Sequence, residues 1–243
     1  MGSEKDYFPI SFTQSWQWLA DGFAPAFAWI GENENRDDAE VIWKTRHKYV
    51  KKIPLPEKLG GGFAVKKYYQ EKRFLRYFLR PSLAAREARG FLRVKGVGIP
   101  TVEVLGFGEN RDGFRLKDAF FITRFMEGLS DAGALVGTEN RQDLLDFVTL
   151  NAQYLGRLHA AGFSHGGAHP RNFMWRRKDG QMEVVWLDLA TVRPFKAFGR
   201  AARIRLDLAD FLEKFSLSAE EVKAALEVYG RYHRFPGMEN FKL

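Results

Sequence analysis

The chain reads as an α+β fold in two lobes: a small antiparallel sheet carrying one helix, followed by a mainly helical half. Three observations predict this. Short alternating apolar runs bounded by turn residues fill most of residues 40–128. Longer stretches with apolar residues near helical spacing dominate from residue 141 onward. With 243 residues, 45% of them hydrophobic and 28% charged, the chain is long enough for one large domain or two lobes sharing a cleft.

The elements follow in order. Residues 12–30, FTQSWQWLADGFAPAFAWI, are rich in aromatics, but Gly22 and Pro25 interrupt helical periodicity. The expectation here is one short helix inside a lead-in segment, 1–39. AEVIWKT, KYVKKIPL and FAVKKYY each predict a strand, and PEKLGGG is the turn between the last two. PSLAAREARGFLRVK (81–95) predicts a helix, opened by Pro81 and favoured by its Ala, Leu and Arg content. GIPTVEVLGFGE and DAFFITRFMEG predict two more strands. The order β-β-β-α-β-β defines a first lobe over 40–127. Gly128 and Gly133 loosen the junction, and the second lobe runs over 128–243. There RQDLLDFVTLNAQYLGRLHAA (141–161) predicts a long helix and MEVVWLDLATV a strand leading into a loop. ARIRLDLADFLEKF and LSAEEVKAALEVYGRYH predict two further helices, the latter opened by the capping box Ser218–Glu221.

Composition removes several classes of chemistry. There is no cysteine, which excludes disulfides, thiolate zinc sites and thiol catalysis. No apolar run reaches the length of a membrane span, and the start, MGSEKDYF, does not read as a signal peptide. A cytoplasmic location is expected. The formal charge of +8 is unevenly placed: between Lys44 and Lys95 sixteen Lys/Arg face three Glu. A block this basic points to an anionic partner such as phosphates, an acidic glycolipid or an anionic membrane surface. No RNA- or DNA-binding motif accompanies it, so nucleic acid is not the expected partner.

Four motifs carry chemistry, each weak alone and specific in their shared order. FAVKK matches the third-strand lysine pattern V-A-I-K of a protein-kinase-like fold. Alignment on the apolar triplet selects Lys66, leaving Lys67 on the opposite face. Glu87 on the following helix is the carboxylate expected to hold that lysine toward nucleotide phosphates. HGGAHPRN (165–172) fits H-x-D-x-x-x-x-N except at its acid, where Gly167 stands. In that register Asn172 is a metal ligand and His165 braces the loop. His169 is the nearest other imidazole and is the candidate to replace the absent base. Two His four apart in a Gly-containing loop make a poor zinc pattern. VVWLDLA then places Asp188 where such folds carry the magnesium-binding Asp, sixteen residues after Asn172. Asp207, in RLDLADF, falls where a buried Asp braces the catalytic-loop backbone. The triple glycine at 60–62 is a decoy, because it separates the second and third strands. The phosphate-covering position lies one hairpin earlier, at KTRHK, which has no glycine. Lys44, Arg46, Lys48 or the backbone would have to serve there, with Glu127 at the junction completing the expected nucleotide set.

These residues resemble the bacterial lipopolysaccharide kinase family, the Kdo and heptose kinases of the inner core. The carriers are FAVKKYY, the RPSLAAREAR helix, GIPTVEVLGFGE, HGGAHPRNFMW, VVWLDLATVRPF and RIRLDLADFL, in order over roughly 40–215. The resemblance implies a bilobal protein-kinase-like fold and ATP with Mg²⁺ as cofactors, with Asn172 and Asp188 as the metal ligands. It also implies a lipopolysaccharide core acceptor, with peripheral contact to anionic lipid on the cytoplasmic face of the inner membrane. Gly167 departs from the pattern, since glycine cannot accept a proton. The alternative is therefore a pseudokinase that keeps the fold as a nucleotide- or partner-binding scaffold. A third reading, a small-molecule phosphotransferase of the aminoglycoside or choline type, shares H-G-D-x-H-P-x-N. The basic bias of this chain disfavours the cationic substrates of that class.

Overall fold

A computed structural model describes residues 8, 14–70, 77, 80–137, 140–196, 198–238 and 241. The chain forms two compact units, Met1–Phe91 with Val102–Met126, and Leu92–Thr101 with Glu127–Leu243.

The first unit is built on a six-stranded antiparallel sheet of order β1-β5-β6-β4-β3-β2. Its strands are β1 (Trp16–Leu19), β2 (Glu40–Lys44), β3 (Lys48–Pro54), β4 (Phe63–Gln70), β5 (Val104–Asp112) and β6 (Arg115–Arg124). Five of these are the strands expected from alternation. The sixth, β1, corrects the expectation of a lead-in: WQWL pairs along β5, Trp16 opposite Glu109 and Leu19 opposite Gly106. Four residues of strand depend on a partner some ninety positions away, which local periodicity cannot reveal. The partner is prepared by glycine. A Cβ at Gly108 would come within 2.7 Å of the Trp16 carbonyl oxygen, and one at Gly106 within 2.8 Å of Leu19 Cδ2.

Helix α1 (Ala24–Asn33) is the short helix expected in the lead-in, and it packs on the sheet of the first unit rather than standing outside it. Pro25 lies in the first turn of α1, where its missing N–H costs nothing, so it opens the helix rather than interrupting it. Ala26 and Ile30 pack with Phe23 on Ile53, Ala64, Leu105 and Ile122, covering one sheet face. Helix α2 (Leu83–Gly96) begins where Ser82 Oγ accepts the Ala85 N–H at 3.0 Å. Phe91 meets Phe121 at a centroid distance of 5.2 Å. Phe121 and Ile122 are consecutive in β6, so α2 and α1 contact opposite faces of the sheet. The start of α2 is fixed by a buried ion pair: Glu109 accepts from Ser82 N (2.6 Å) and from Arg111 Nε (2.7 Å).

The second unit is mainly helical, with α3 (Arg141–Ala160), α4 (Arg200–Leu212) and α5 (Ala219–Gly230) at the predicted places. The Ser218–Glu221 capping box forms in both directions. Short strands β7 (Ser130–Asp131), β9 (Phe173–Lys178) and β10 (Gln181–Trp186) make one sheet, and β8 (Phe163–Ser164) pairs with β11 (Arg193–Pro194). Phe147 of α3 meets Phe173, Phe211 and Phe215 at the centre of the core. Segment 92–101 is tied to this unit. Trp186 N donates to Pro100 O at 3.0 Å, and an Arg157 amino group donates to Val97 O at 2.7 Å. Among the described residues no helix is long and apolar enough to cross a membrane.

Candidate active site

The loop Ser164–Phe173 links β8 to β9, and one buried carboxylate organises it. Asp207 of α4 accepts the His165 N–H at 2.8 Å through Oδ2 and the Gly166 N–H at 2.9 Å through Oδ1. His159 Nε2 lies 3.2 Å from Oδ2, and His159 Nδ1 lies 2.9 Å from the Tyr229 hydroxyl. Burial opposes the Asp207 charge, but the His159 hydrogen bond and the loop N–H groups outweigh it and hold the carboxyl below its ordinary range. With Asp207 ionised, His159 Nε2 carries the proton and donates, and Nδ1 accepts from Tyr229. Burial lowers the His159 pKa despite its acidic partner, so the pair is a hydrogen bond between a neutral imidazole and a carboxylate. His165 is fully buried between Phe173 and Trp186, and among the described residues neither ring nitrogen has a hydrogen-bond partner. Desolvation pushes its pKa down to about 4. It is a neutral ring packed between two aromatic side chains.

Asn172 is buried, and its Nδ2 donates to Gly167 O at 2.7 Å. That bond leaves Oδ1 as an acceptor with a defined direction. Asn172 O in turn accepts from Leu187 N at 2.8 Å, and Phe173 pairs with Trp186 in the β9–β10 ladder. Asn172 and the residue before Asp188 are thus neighbours at one end of that hairpin. Asp188 is exposed and adopts a left-handed conformation, φ 50° and ψ 55°. Asp tolerates this region better than most side chains, but the strain is still of order 1 kcal/mol. An amide oxygen and a carboxylate form a hard donor set that suits Mg²⁺, which keeps waters and substrate phosphates for its remaining positions. Among the described residues no cluster of three or more His, Cys, Asp or Glu could hold a metal alone.

Gly167 has ordinary negative-side backbone geometry, and a Cβ there would sit 3.5 Å from Thr191 Oγ1 and 3.9 Å from Asn172 Nδ2. The missing acid therefore leaves room rather than a blocked position. Gly166 is different. Its φ is +75°, and a Cβ would meet an Arg203 amino nitrogen at 2.8 Å. His169 is half-buried, and its carbonyl accepts from Asn172 N at 2.9 Å.

In the first unit the expected Lys66–Glu87 pair does not form. Glu87 is fully buried and accepts from Lys67 Nζ at 2.5 Å and from the Tyr69 hydroxyl at 2.7 Å. Lys66 pairs with Glu34, just past the end of α1, and Glu34 also accepts from the Tyr49 hydroxyl at 3.2 Å. The alternation of β4 is the cause. Residues 64 and 66 face α1, whereas 67 and 69 face α2. Sequence marked two adjacent lysines, and only the packing of the two helices decides between them. Lys44 ends β2, Arg46 lies in the turn, and Lys48 opens β3 with its Nζ about 5 Å above the Trp43 and Tyr69 rings. Glu127 is exposed beyond β6, and its carbonyl accepts from Arg176 at 3.4 Å. Gly60, Gly61 and Gly62 all have positive φ in the β3–β4 turn, as the decoy reading requires. Thr191 and Arg203, which flank the loop glycines, were not singled out from sequence, because they enter through chain reversal and not through a motif.

The model of the lipopolysaccharide kinase (Kdo/WaaP) family matches residues 29–229. The chain belongs to this family. No curated protein sequence matches significantly. The solved structure of WaaP in complex with acyl carrier protein is similar over 89% of each chain, with a TM-score of 0.66 at 16% identity. At that identity the likeness establishes the protein-kinase-like fold and nothing finer.

Proposed function

We propose that the chain is an ATP-dependent kinase of the lipopolysaccharide inner-core type, transferring a phosphoryl group to a sugar hydroxyl. The observation that carries this reading is the Asp207-braced loop with Asn172 and Asp188 at one hairpin end. In this reading Asn172 Oδ1 and the Asp188 carboxylate hold Mg²⁺, which neutralises phosphate charge when bound. Lys67, held by Glu87, takes the nucleotide-orienting role first assigned to Lys66. In this reading Lys44, Arg46 and Lys48 would supply the phosphate contacts that a glycine-rich loop gives elsewhere, and Glu127 would belong to the nucleotide set. His165 and Asp207 hold the loop and move no proton.

Phosphoryl transfer depends mostly on positioning and electrostatics, with a general base adding about 10²–10⁴-fold. That is roughly 3–5 kcal/mol of barrier, so glycine at 167 slows the reaction without removing its basis. Water or His169 would then take the proton. The test is ADP release with lipopolysaccharide core oligosaccharide as acceptor. Asp188→Asn is the control, because Asn tolerates the left-handed backbone. Activity above this control is expected, and Gly167→Asp should raise it by about 10²-fold or more, since the side chain has room. No activity in either protein would sink the kinase reading. The second reading, a pseudokinase that binds nucleotide or only a partner, is favoured by Gly167 itself and predicts no gain from Gly167→Asp, with no ATP binding where it is a pure partner scaffold.

A further inference from the structure

Four lysines of the basic block that sequence places at residues 44–95 are engaged within the first unit. Lys66 and Lys67 pair with Glu34 and Glu87, and Lys51 donates to Glu34 O and Asn35. Lys52 approaches Glu40 at 3.9 Å and lies about 4 Å from the Phe63 and Phe125 ring centroids. These charges are committed to folding.

A second basic stretch lies in the other unit. From Leu189 to Leu206 the chain carries Arg193, Lys196, Arg200, Arg203 and Arg205 and no acidic residue. Arg193, Lys196, Arg200 and Arg205 are exposed, with Arg200 donating to His159 O and Arg205 to Pro236 O at 3.0 Å, each through one amino group of its guanidinium. Among them Phe198 is 93% exposed and Leu206 of α4 is 53% exposed. Full exposure of a phenyl ring forgoes about 1.5–3 kcal/mol of burial. Beside a run of cations, it matches the chemistry of a bilayer interface, where a ring enters the acyl boundary and guanidinium and ammonium groups meet phosphates. The stretch is also continuous with the candidate site. Arg193 pairs with Ser164 across β11 and β8, directly before the loop, and Arg203 abuts Gly166.

We infer that residues 193–206 dock the protein on an anionic bilayer, with Phe198 inserted and the surrounding Arg and Lys on lipid phosphates. This rests on the kinase reading only for what the bilayer would present to the site; docking itself is read without turnover.

Vesicle co-sedimentation tests it, comparing phosphatidylcholine vesicles with ones containing phosphatidylglycerol. The full chain should bind the anionic vesicles and not the neutral ones. Phe198→Ser should weaken partitioning about tenfold or more, with an unchanged melting temperature because the ring is exposed. Lys196→Gln should cost about fivefold, the equivalent of about 1 kcal/mol per basic residue at an anionic surface. Lys58→Gln with Arg115→Gln removes two exposed charges of the first unit and should change binding less than twofold. The inference is overturned by absence of binding or by a Phe198→Ser protein that binds as well as the parent. Equal loss in the first-unit variant also overturns it. So does displacement by inorganic phosphate, which would mark a soluble-anion site, or self-association that Phe198→Ser abolishes. Vesicle binding with no ADP release would leave the docking intact and sink only the kinase reading.

Discussion

Gly167 and Asp207 show how differently single residues of one loop read. Asp207 was legible from sequence, because the order of HGGAHPRN, VVWLDLA and RLDLADF is local information. Its two bonds to loop N–H groups follow that reading. Asp207→Ala would strip two buried backbone donors and His159 of their acceptor. A stability loss of about 3 kcal/mol or more is expected in urea denaturation. His165 supplies a pH test. Its pKa falls from 6.5 to about 4 in the folded chain, so below pH 6.5 the unfolded chain binds the extra proton first. Stability is then full above pH 6.5, falls as pH drops toward 4, and levels off below it. The span is on the order of 3 kcal/mol. Replacing the ring by His165→Phe should flatten the profile in that window relative to the parent, with Asp207 acting only at lower pH. Equal slopes for both proteins would show that His165 titrates normally and is not sealed in the core.

At the scale of elements, the strands and helices that alternate or repeat locally were legible, and those that depend on distant partners were not. Strand β1 exists because Gly106 and Gly108 admit it to the sheet, whereas the short helix expected in the lead-in forms as α1 with Pro25 in its first turn. The same limit explains the lysine correction. Lys66 and Lys67 are adjacent letters, and their roles are set by which helix covers which face of β4. The buried Lys67–Glu87 pair then predicts a strong effect. Glu87→Ala removes the buried carboxylate to which Lys67 and Tyr69 donate and should cost about 3–5 kcal/mol, measured by thermal or urea unfolding. A loss under about 1 kcal/mol would mean that α2 is held by its apolar contacts alone. Ser218→Ala, which removes one half of the α5 capping box, is a milder case at about 1 kcal/mol.

Across the whole molecule, the change from alternating to helical patterning near residue 128 suggested two lobes, and the resemblance of the ordered motifs suggested the family; segment 92–101, expected in the first lobe, goes instead with the second unit. Charge was the less readable quantity. The total of +8 and the dense basic block were visible in the sequence, but not which cations the fold consumes. Several lysines of the first unit are spent on Glu34, Glu40 and Glu87, while the later stretch from Arg193 to Arg205 keeps most of its cations exposed. The central proposal is a nucleotide site in which Lys67, and not Lys66, would meet the phosphates. Calorimetric titration of ATP with Mg²⁺ tests it most directly, in the parent, Lys66→Met and Lys67→Met. Metal-dependent binding is expected in the parent, weakened about tenfold or more by Lys67→Met and less than about twofold by Lys66→Met, as loss of one charge-assisted hydrogen bond requires. Loss of binding in Lys66→Met with Lys67→Met unaffected, or no binding by the parent, would contradict it.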